Sequence, residues 1–91
     1  MKSKYIKDLE KILKALANKR RLAMVIYLKK NQKASVGEIS GEIELSFKAT
    51  SKHLSVLFAA DILEKDNDGL RMIYRLNGEM PSFAKLIIDS F

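Results

Sequence analysis

The sequence predicts a small, mainly α-helical domain that carries one β-hairpin. Up to about residue 58, apolar residues recur three or four positions apart, which is the spacing of an amphipathic helix. Polar breaks at Asn18, Lys29–Lys33 and Glu44-Leu45 divide this stretch into four helices. Between residues 71 and 76 the period shortens to two, and the preceding Asp66–Gly69 is a turn sequence, so a two-stranded hairpin follows the helices.

Length and charge limit the class of protein. The 91 residues leave room for one domain, spanning residues 1–91. The net charge of +6 favours an anionic partner, although solubility alone also explains it. The charge is uneven, because residues 1–33 hold eleven basic and two acidic residues, whereas residues 34–91 hold six basic and nine acidic ones.

The sequence lacks the residues that several classes of protein require. The chain has no cysteine, which excludes disulfides, thiolate metal sites and cysteine catalysis. With a single histidine, no nucleophile–base pair and no phosphate-binding glycine loop, we expect neither an enzyme nor a cofactor. No apolar run approaches the length of a membrane span and no signal peptide is visible, so we expect a cytoplasmic protein away from membranes.

The first two helices are predicted over Tyr5–Ala17 and Lys19–Lys29. The first has an apolar stripe, and Asn18 is a good N-cap for the second. Lys19-Arg20-Arg21 then lies in the first helical turn, where the helix dipole disfavours cations. The cluster is therefore either a set of phosphate contacts or a solvated group of charges.

The third helix begins with a capping box, because Ser35 and Glu38 stand in an S-x-x-E pattern. Gly37 and Gly41 each weaken a helix by about 1 kcal/mol relative to alanine. The helix is therefore either held by close packing against a neighbour or frayed.

The fourth helix, Ser46–Leu57, has two distinct faces with Ser46 as its N-cap. Lysines and hydroxyls on one face suit contact with phosphates and base edges, although such a face is often merely solvated. The opposite face is predicted to be buried. The polar face contains Lys48, Ser51, Lys52 and Ser55, and the other contains Phe47, Thr50, Leu54, Leu57 and Phe58.

The hairpin strands are predicted at Ile62–Lys65 and Arg71–Leu76. Asn77-Gly78 ends the second strand, and Pro81 fits the first turn of a last helix. The resulting order, with two short helices joined by a tight turn and followed by a hairpin, is that of a winged helix-turn-helix. In that fold the second helix of the pair lies in the DNA major groove.

Three segments in this order resemble the ArsR/SmtB family of small repressors. Ala15–Leu22 is similar to the family's "ALADPTRL" motif, and Leu45–Leu57 is similar to "LSQSTVSHHLKxL". Ala60–Leu76 is similar to its "AGLV…GRxxxYxL" wing. Together they extend from about Leu16 to Leu76, which is most of the chain.

The resemblance implies a homodimer, joined through the first and last helices, that binds double-stranded DNA at an inverted repeat. It also implies that Lys48, Ala49, Ser51 and Lys52 approach the DNA. His53 matches a family histidine but flanks the apolar face, so we expect a packing or phosphate-contacting residue more than a base reader. The candidate DNA-binding residues are Ser46, Lys48, Ala49, Ser51, Lys52, His53, Ser55 and Arg71. The candidate phosphate contacts are Lys19, Arg20 and Arg21. The candidate dimer residues are Ile6, Leu9, Leu13, Phe83, Leu86 and Ile87.

The chain departs from the family pattern at several positions. The cysteines of metal-sensing members are replaced by Ser35 and Gly37, and the last helix has Asp89 but no histidine, so we expect no metal. Glu44 and Asp61 stand where the family has turn glycines, which favours a slightly different turn at each. Acidic residues at the hairpin tip predict a wing that contributes little, with Arg71 as its best DNA contact.

Two functions follow from these observations. The first is a dimeric, sequence-specific DNA-binding repressor without the thiolate metal site. The second is a winged-helix protein-interaction module without a DNA role, which the acidic balance of residues 34–91 favours. The sequence alone does not identify an operator, a target gene or an inducer.

Overall fold

The computed structural model describes residues 3–91, and within them the chain forms five helices and a three-stranded antiparallel sheet. The predicted winged helix-turn-helix is confirmed. No helix in this range is both long enough and apolar enough to cross a membrane. The elements are α1 (Ser3–Leu16), α2 (Lys19–Asn31), β1 (Lys33–Ser35), α3 (Val36–Ile43), α4 (Phe47–Ala59), β2 (Leu63–Asn67), β3 (Met72–Leu76) and α5 (Ser82–Asp89).

Three helices begin at the capping residues that the sequence predicts. The side chain of Asn18 accepts from the backbone N–H groups of Arg20 and Arg21 at 3.0 and 3.1 Å. Ser35 and Glu38 form both hydrogen bonds of the capping box. Ser46 Oγ accepts from Ala49 N at 3.1 Å and so caps α4. Each cap satisfies backbone donors that have no partner inside the helix.

The helix-turn-helix pair ends each of its helices on a left-handed residue. Glu44 after α3 has φ 55° and ψ 51°, and Asp61 after α4 has φ 61°. Each turn is closed by a hydrogen bond from the following backbone N–H to the carbonyl five residues earlier, at 3.1 Å in both cases. Both residues therefore adopt the left-handed conformation that glycine reaches without steric cost.

The sheet contains a strand that the sequence did not reveal. β1 pairs with β3, with Ala34 opposite Tyr74, and β3 pairs with β2, so the order is β1-β3-β2. The polar break predicted at Lys29–Lys33 is wrong in extent, because α2 continues to Asn31 and β1 begins at Lys33, so that only Gln32 lies between them. The hairpin strands are also shifted, because both begin one residue later than predicted and β2 extends to Asn67.

The core lies between the helices and one face of the sheet. The C-terminal half of α1 packs inward through Ile12, Ala15 and Leu16, whereas most of its N-terminal half stays exposed. The end of α5 is held by Lys29 of α2, whose Nζ donates to the Ile88 carbonyl at 3.0 Å. Further core residues are Met24, Val25, Leu28, Ala34, Val36, Ile39, Leu54, Leu57, Ala60, Ile62, Leu63, Tyr74, Ala84 and Ile88.

The helix α3 is held by its cap and by Ile39, which is fully buried. A Cβ added at Gly41 would meet no atom within 4 Å, and one at Gly37 would meet only Ser35 Oγ, at 3.9 Å. The two glycines are therefore not needed for close packing, and the capped helix is held instead by the buried side chains of Val36 and Ile39.

Thr50 of α4 is fully buried, and its hydroxyl has no hydrogen-bond partner among the described residues. A buried hydroxyl without a partner costs free energy that a methyl group of the same shape does not.

We expect Thr50→Val to raise the free energy of unfolding by about 1 kcal/mol, which is a rise in Tm of about 4–8 °C for a domain of this size. Thermal unfolding followed by circular dichroism measures it. Thr50→Ser keeps the hydroxyl and removes the methyl group, so it should lower Tm; a stabilising Thr50→Ser would contradict this explanation.

Candidate nucleic-acid interface

The helix α4 presents a row of polar side chains to solvent. Thr50, Leu54 and Leu57 are fully buried, as their spacing predicts. Lys48 and Lys52, four residues apart, are both exposed on the opposite side of the helix. The structure therefore places two cations one turn apart on the free side of the second helix of the pair.

The hydroxyls on α4 are partly engaged within the helix. Ser46 is exposed but its Oγ caps the first turn, as described above. Ser55 is exposed and its hydroxyl donates to the Ser51 carbonyl at 3.0 Å. Ala49 and Ser51 are half-buried at the sides of the lysine row. The two lysines are thus the most available polar groups on this face.

Arg21 ties three helices together. Its Nε and Nη2 donate to the carbonyls of Ala15 and Lys14, in the last turn of α1, at 2.6 and 3.0 Å. Its Nη1 lies 3.1 Å from His53 Nδ1 on α4. Because a guanidinium carries only donors, Nδ1 must be the acceptor, and the imidazole is neutral with its proton on Nε2.

The three cations of the α2 N-terminus therefore differ in role. Arg21 is occupied inside the fold, where it caps the C-terminal end of α1. Lys19 and Arg20 are exposed, and their side chains make no hydrogen bond or ion pair within residues 3–91. These two remain available for an anionic partner.

The environment of His53 shows that two cations at the start of α2 lie beside α4. Partial burial lowers the pKa of His53 below its usual 6.5, and the charges of Arg21, Arg20 and Lys52 lower it further. Two of these three cations belong to α2. Folding thus brings Arg20 and Arg21 of the basic N-terminal part close to His53 of α4.

This lowered pKa predicts a pH dependence of stability. The unfolded chain binds a proton at His53 once the pH falls below about 6.5, whereas the folded chain resists it. Stability from this group is therefore complete above about pH 6.5 and is lost as the pH falls towards the lower folded-state pKa. We expect the Tm advantage of the wild-type chain over His53→Gln to shrink between pH 7.5 and pH 5. An advantage that grows on acidification would show that protonated His53 is stabilised in the fold.

The three cations of the wing each contact another side chain of the protein. Arg71 is exposed but pairs with Asp68 at 3.1 Å. Arg75 pairs with Glu64 at 2.7 Å and with Asp66 at 2.5 Å. The remaining wing cation, Lys65, lies over the Phe58 ring, 4.3 Å from its centroid. Three acidic and three basic residues over residues 63–76 leave the wing without net charge.

The sequence prediction is wrong about the burial of two aromatic residues of α4. Phe47 and Phe58 were assigned to the buried face, but Phe47 is 62% exposed and Phe58 is also exposed. Helical spacing placed them correctly around the axis. It could not show that Phe47, the first residue of α4, precedes the first buried residue, Thr50. Nor could it show that Phe58 lies at the surface under Lys65.

The candidate dimer residues lie on surfaces that this chain leaves open. Ile6, Leu13 and Leu86 are exposed. Leu9, Phe83 and Ile87 are half-buried. A shallow groove runs along α1 between Ile6 and Ala17. Both terminal helices thus carry apolar side chains that the described part of the chain does not cover.

The positions of the family's metal ligands hold other groups. Ser35 is the N-cap of α3, Gly37 has no side chain, and Asp89 pairs with Lys85 at 3.0 Å. Over residues 3–91 the structure brings no three histidine, aspartate or glutamate side chains together as a metal site would. These residues do not fit a thiolate site.

The segment from residue 18 to residue 65 matches the family model described as "Bacterial regulatory protein, arsR family". This segment is more than half of the chain and contains the helix-turn-helix pair. The chain belongs to the arsR family.

Individual relatives agree with this ArsR-family membership. The transcriptional activator HlyU of Vibrio cholerae is 38% identical over 77 residues, which are 84% of this chain and 70% of the relative. The arsenical resistance operon repressor of Bacillus subtilis is 31% identical over 78 residues, 86% of this chain and 74% of the relative. The solved structure of HlyU from Vibrio cholerae superposes with a TM-score of 0.82 at 31% identity, covering 98% of this chain and 92% of that one.

Membership decides between the two functions that the sequence left open. This ArsR-family chain is a DNA-binding transcriptional regulator and not an enzyme. The interaction module without a DNA role is not favoured.

Proposed function

We propose that this regulator acts in the cytoplasm as a homodimeric repressor that binds an inverted-repeat operator, with α4 of each protomer in the major groove. The observation that carries the proposal is the row of exposed lysines on α4, Lys48 and Lys52, directly after a short turn and a capped helix start. The major groove is wide enough to admit a helix, and lysine donates to guanine O6 and N7 or to phosphate.

The other polar groups around α4 take supporting roles. Lys19 and Arg20 attract the phosphates beside the groove, since both are exposed at the start of α2 and Arg20 acts on His53 of α4. Ser46, Ser51 and Ser55 adapt their hydroxyls to the bases or phosphates within reach. Ala49 lets the helix approach closely, and His53 presents Nε2–H to a phosphate while Nδ1 stays bound to Arg21.

The wing adds little to the binding. Arg71 would have to leave Asp68 to reach a phosphate, and Asp66 and Asp68 repel phosphates. We therefore assign most of the affinity to α4 and to the N-terminus of α2.

The dimer is formed by the terminal helices. Their exposed apolar side chains include Leu13 at 48% and Leu86 at 70% exposure. Burying such surface against a second copy is favourable in proportion to its area. A two-fold axis between the copies then sets the two α4 helices about one DNA turn, ~34 Å, apart or a multiple of that.

Binding to DNA is sufficient for repression, because a dimer bound at a promoter blocks other proteins from the same DNA. The relatives include a named activator and a named repressor. We propose that no thiolate metal site contributes to regulation here, since Ser35 and Gly37 supply no thiolate.

Selection from a pool of random duplex DNA at near-physiological salt tests the proposal. The purified chain should enrich an inverted repeat whose half-sites are one helical turn or a multiple of it apart. Binding without enrichment would indicate a non-specific DNA protein, and enrichment of a single unrepeated site would contradict the dimer.

A further inference from the structure

The first residue of α4, Phe47, is an aromatic side chain that the fold leaves open. It is 62% exposed, because the buried face of the helix starts only at Thr50. Scattered exposed apolar residues are ordinary in themselves. Phe47 differs in its position, since it lies in the first turn of the helix, beside Lys48 and one turn before Ser51.

The surface next to Phe47 on the wing side is apolar as well. Phe47, Met72 and the start of α3 line a shallow cleft together with Leu70, which is fully exposed at the hairpin tip. Arg71 borders the same cleft but is paired with Asp68. This flank of α4 therefore presents carbon atoms, whereas the face with Lys48 and Lys52 presents ammonium groups.

Base chemistry limits what such a flank can recognise. The N-terminal residues of a recognition helix contact base edges in the major groove. A phenyl ring can neither donate nor accept the hydrogen bonds that distinguish guanine, cytosine and adenine there. The apolar group on the major-groove edge of a base is the thymine C5-methyl, which phenylalanine contacts.

We propose that Phe47 selects thymine at one position of each operator half-site by packing its ring against the C5-methyl group. This inference rests on the proposed function, because it requires α4 in the major groove. It adds a specificity-determining residue that sequence spacing had assigned to the core.

Replacing thymine by deoxyuridine tests the inference, since deoxyuridine lacks only the methyl group. The probe is a duplex enriched from the random pool, with thymines replaced at one symmetric pair of positions at a time. At one such pair we expect the Kd of the wild-type chain to rise about fourfold for one half-site, or roughly 15-fold for the two half-sites together. This rise corresponds to the free energy of burying one methyl group in each half-site.

Three variants assign the effect to Phe47. Phe47→Ala should bind the thymine duplex as weakly as the wild-type chain binds the deoxyuridine duplex, and should not distinguish the two. Phe47→Leu keeps an apolar side chain and should retain most of the discrimination. Ile26→Ala is the matched control, because Ile26 is 50% exposed on α2 and does not line the cleft beside Phe47, so it should leave the discrimination unchanged.

The outcomes separate the inference from the proposed function. If no duplex is enriched, both fail. If a duplex is enriched but no thymine pair responds to deoxyuridine, or if Phe47→Ala still responds to it, the inference alone is overturned. Circular dichroism checks that Phe47→Ala folds; if it does not, the deoxyuridine series on the wild-type chain still decides.

Discussion

Replacing Lys48 and Lys52 together by alanine should abolish specific DNA binding while the dimer survives. The two exposed lysines of each protomer make four contacts per dimer. At about 1 kcal/mol for each contact, the loss is on the order of a thousandfold in Kd. The slope of log K against log salt should also fall by about one for each lysine that contacts a phosphate. Anisotropy titrations on the enriched duplex measure both.

Lys7→Ala with Lys11→Ala is the matched control for charge. These lysines are also exposed and four residues apart, but they lie on α1, away from its apolar stripe. The control should lose only the weak, long-range part of the attraction, with nearly unchanged discrimination between operator and random DNA. Equal losses in the two double variants would show that net charge, and not α4, carries the binding.

Introducing a charge at Leu13 should convert the dimer into monomers. In the proposed dimer Leu13→Glu buries two carboxylates at the interface without partners, each at a cost of several kcal/mol. We expect the dimer dissociation constant to rise on the order of a thousandfold. DNA affinity should fall with it by about 10²–10⁴-fold, because a monomer loses the advantage of holding two half-sites at once.

Ile26→Glu controls for the placement of this charge. Ile26 and Leu13 are apolar and almost equally exposed, at 50% and 48%, but Ile26 lies on α2 outside the proposed interface. Sedimentation velocity should show a dimer for Ile26→Glu and a monomer for Leu13→Glu. A dimeric, folded Leu13→Glu chain would place the interface elsewhere.

The elements that the sequence predicts well are those specified by neighbouring residues. The caps at Asn18, Ser35 and Ser46 are local signals, because each side chain bonds a backbone N–H two or three residues away. The alternation in β3 and its turn predict the hairpin in the same way. The order of these elements was enough to predict the winged helix-turn-helix.

What the sequence could not predict depends on contacts between distant residues. β1 is three residues long and exists because β3, some forty residues later, pairs with it. Arg21 and His53 meet across 32 positions, so no spacing could show that this cation serves the fold. Phe47 fits the apolar spacing of α4, and only the extent of the core shows that it is exposed.

Methylation interference on the enriched duplex tests most directly the central claim that α4 of each protomer reads the major groove. Methyl groups on guanine N7 block the major groove, and those on adenine N3 block the minor groove. We predict strong interference at N7 positions in two half-sites centred one helical turn or a multiple of it apart, and little at N3 positions, because the wing contributes little. Interference confined to N3 positions, or none at N7 in either half-site, would contradict the placement of α4.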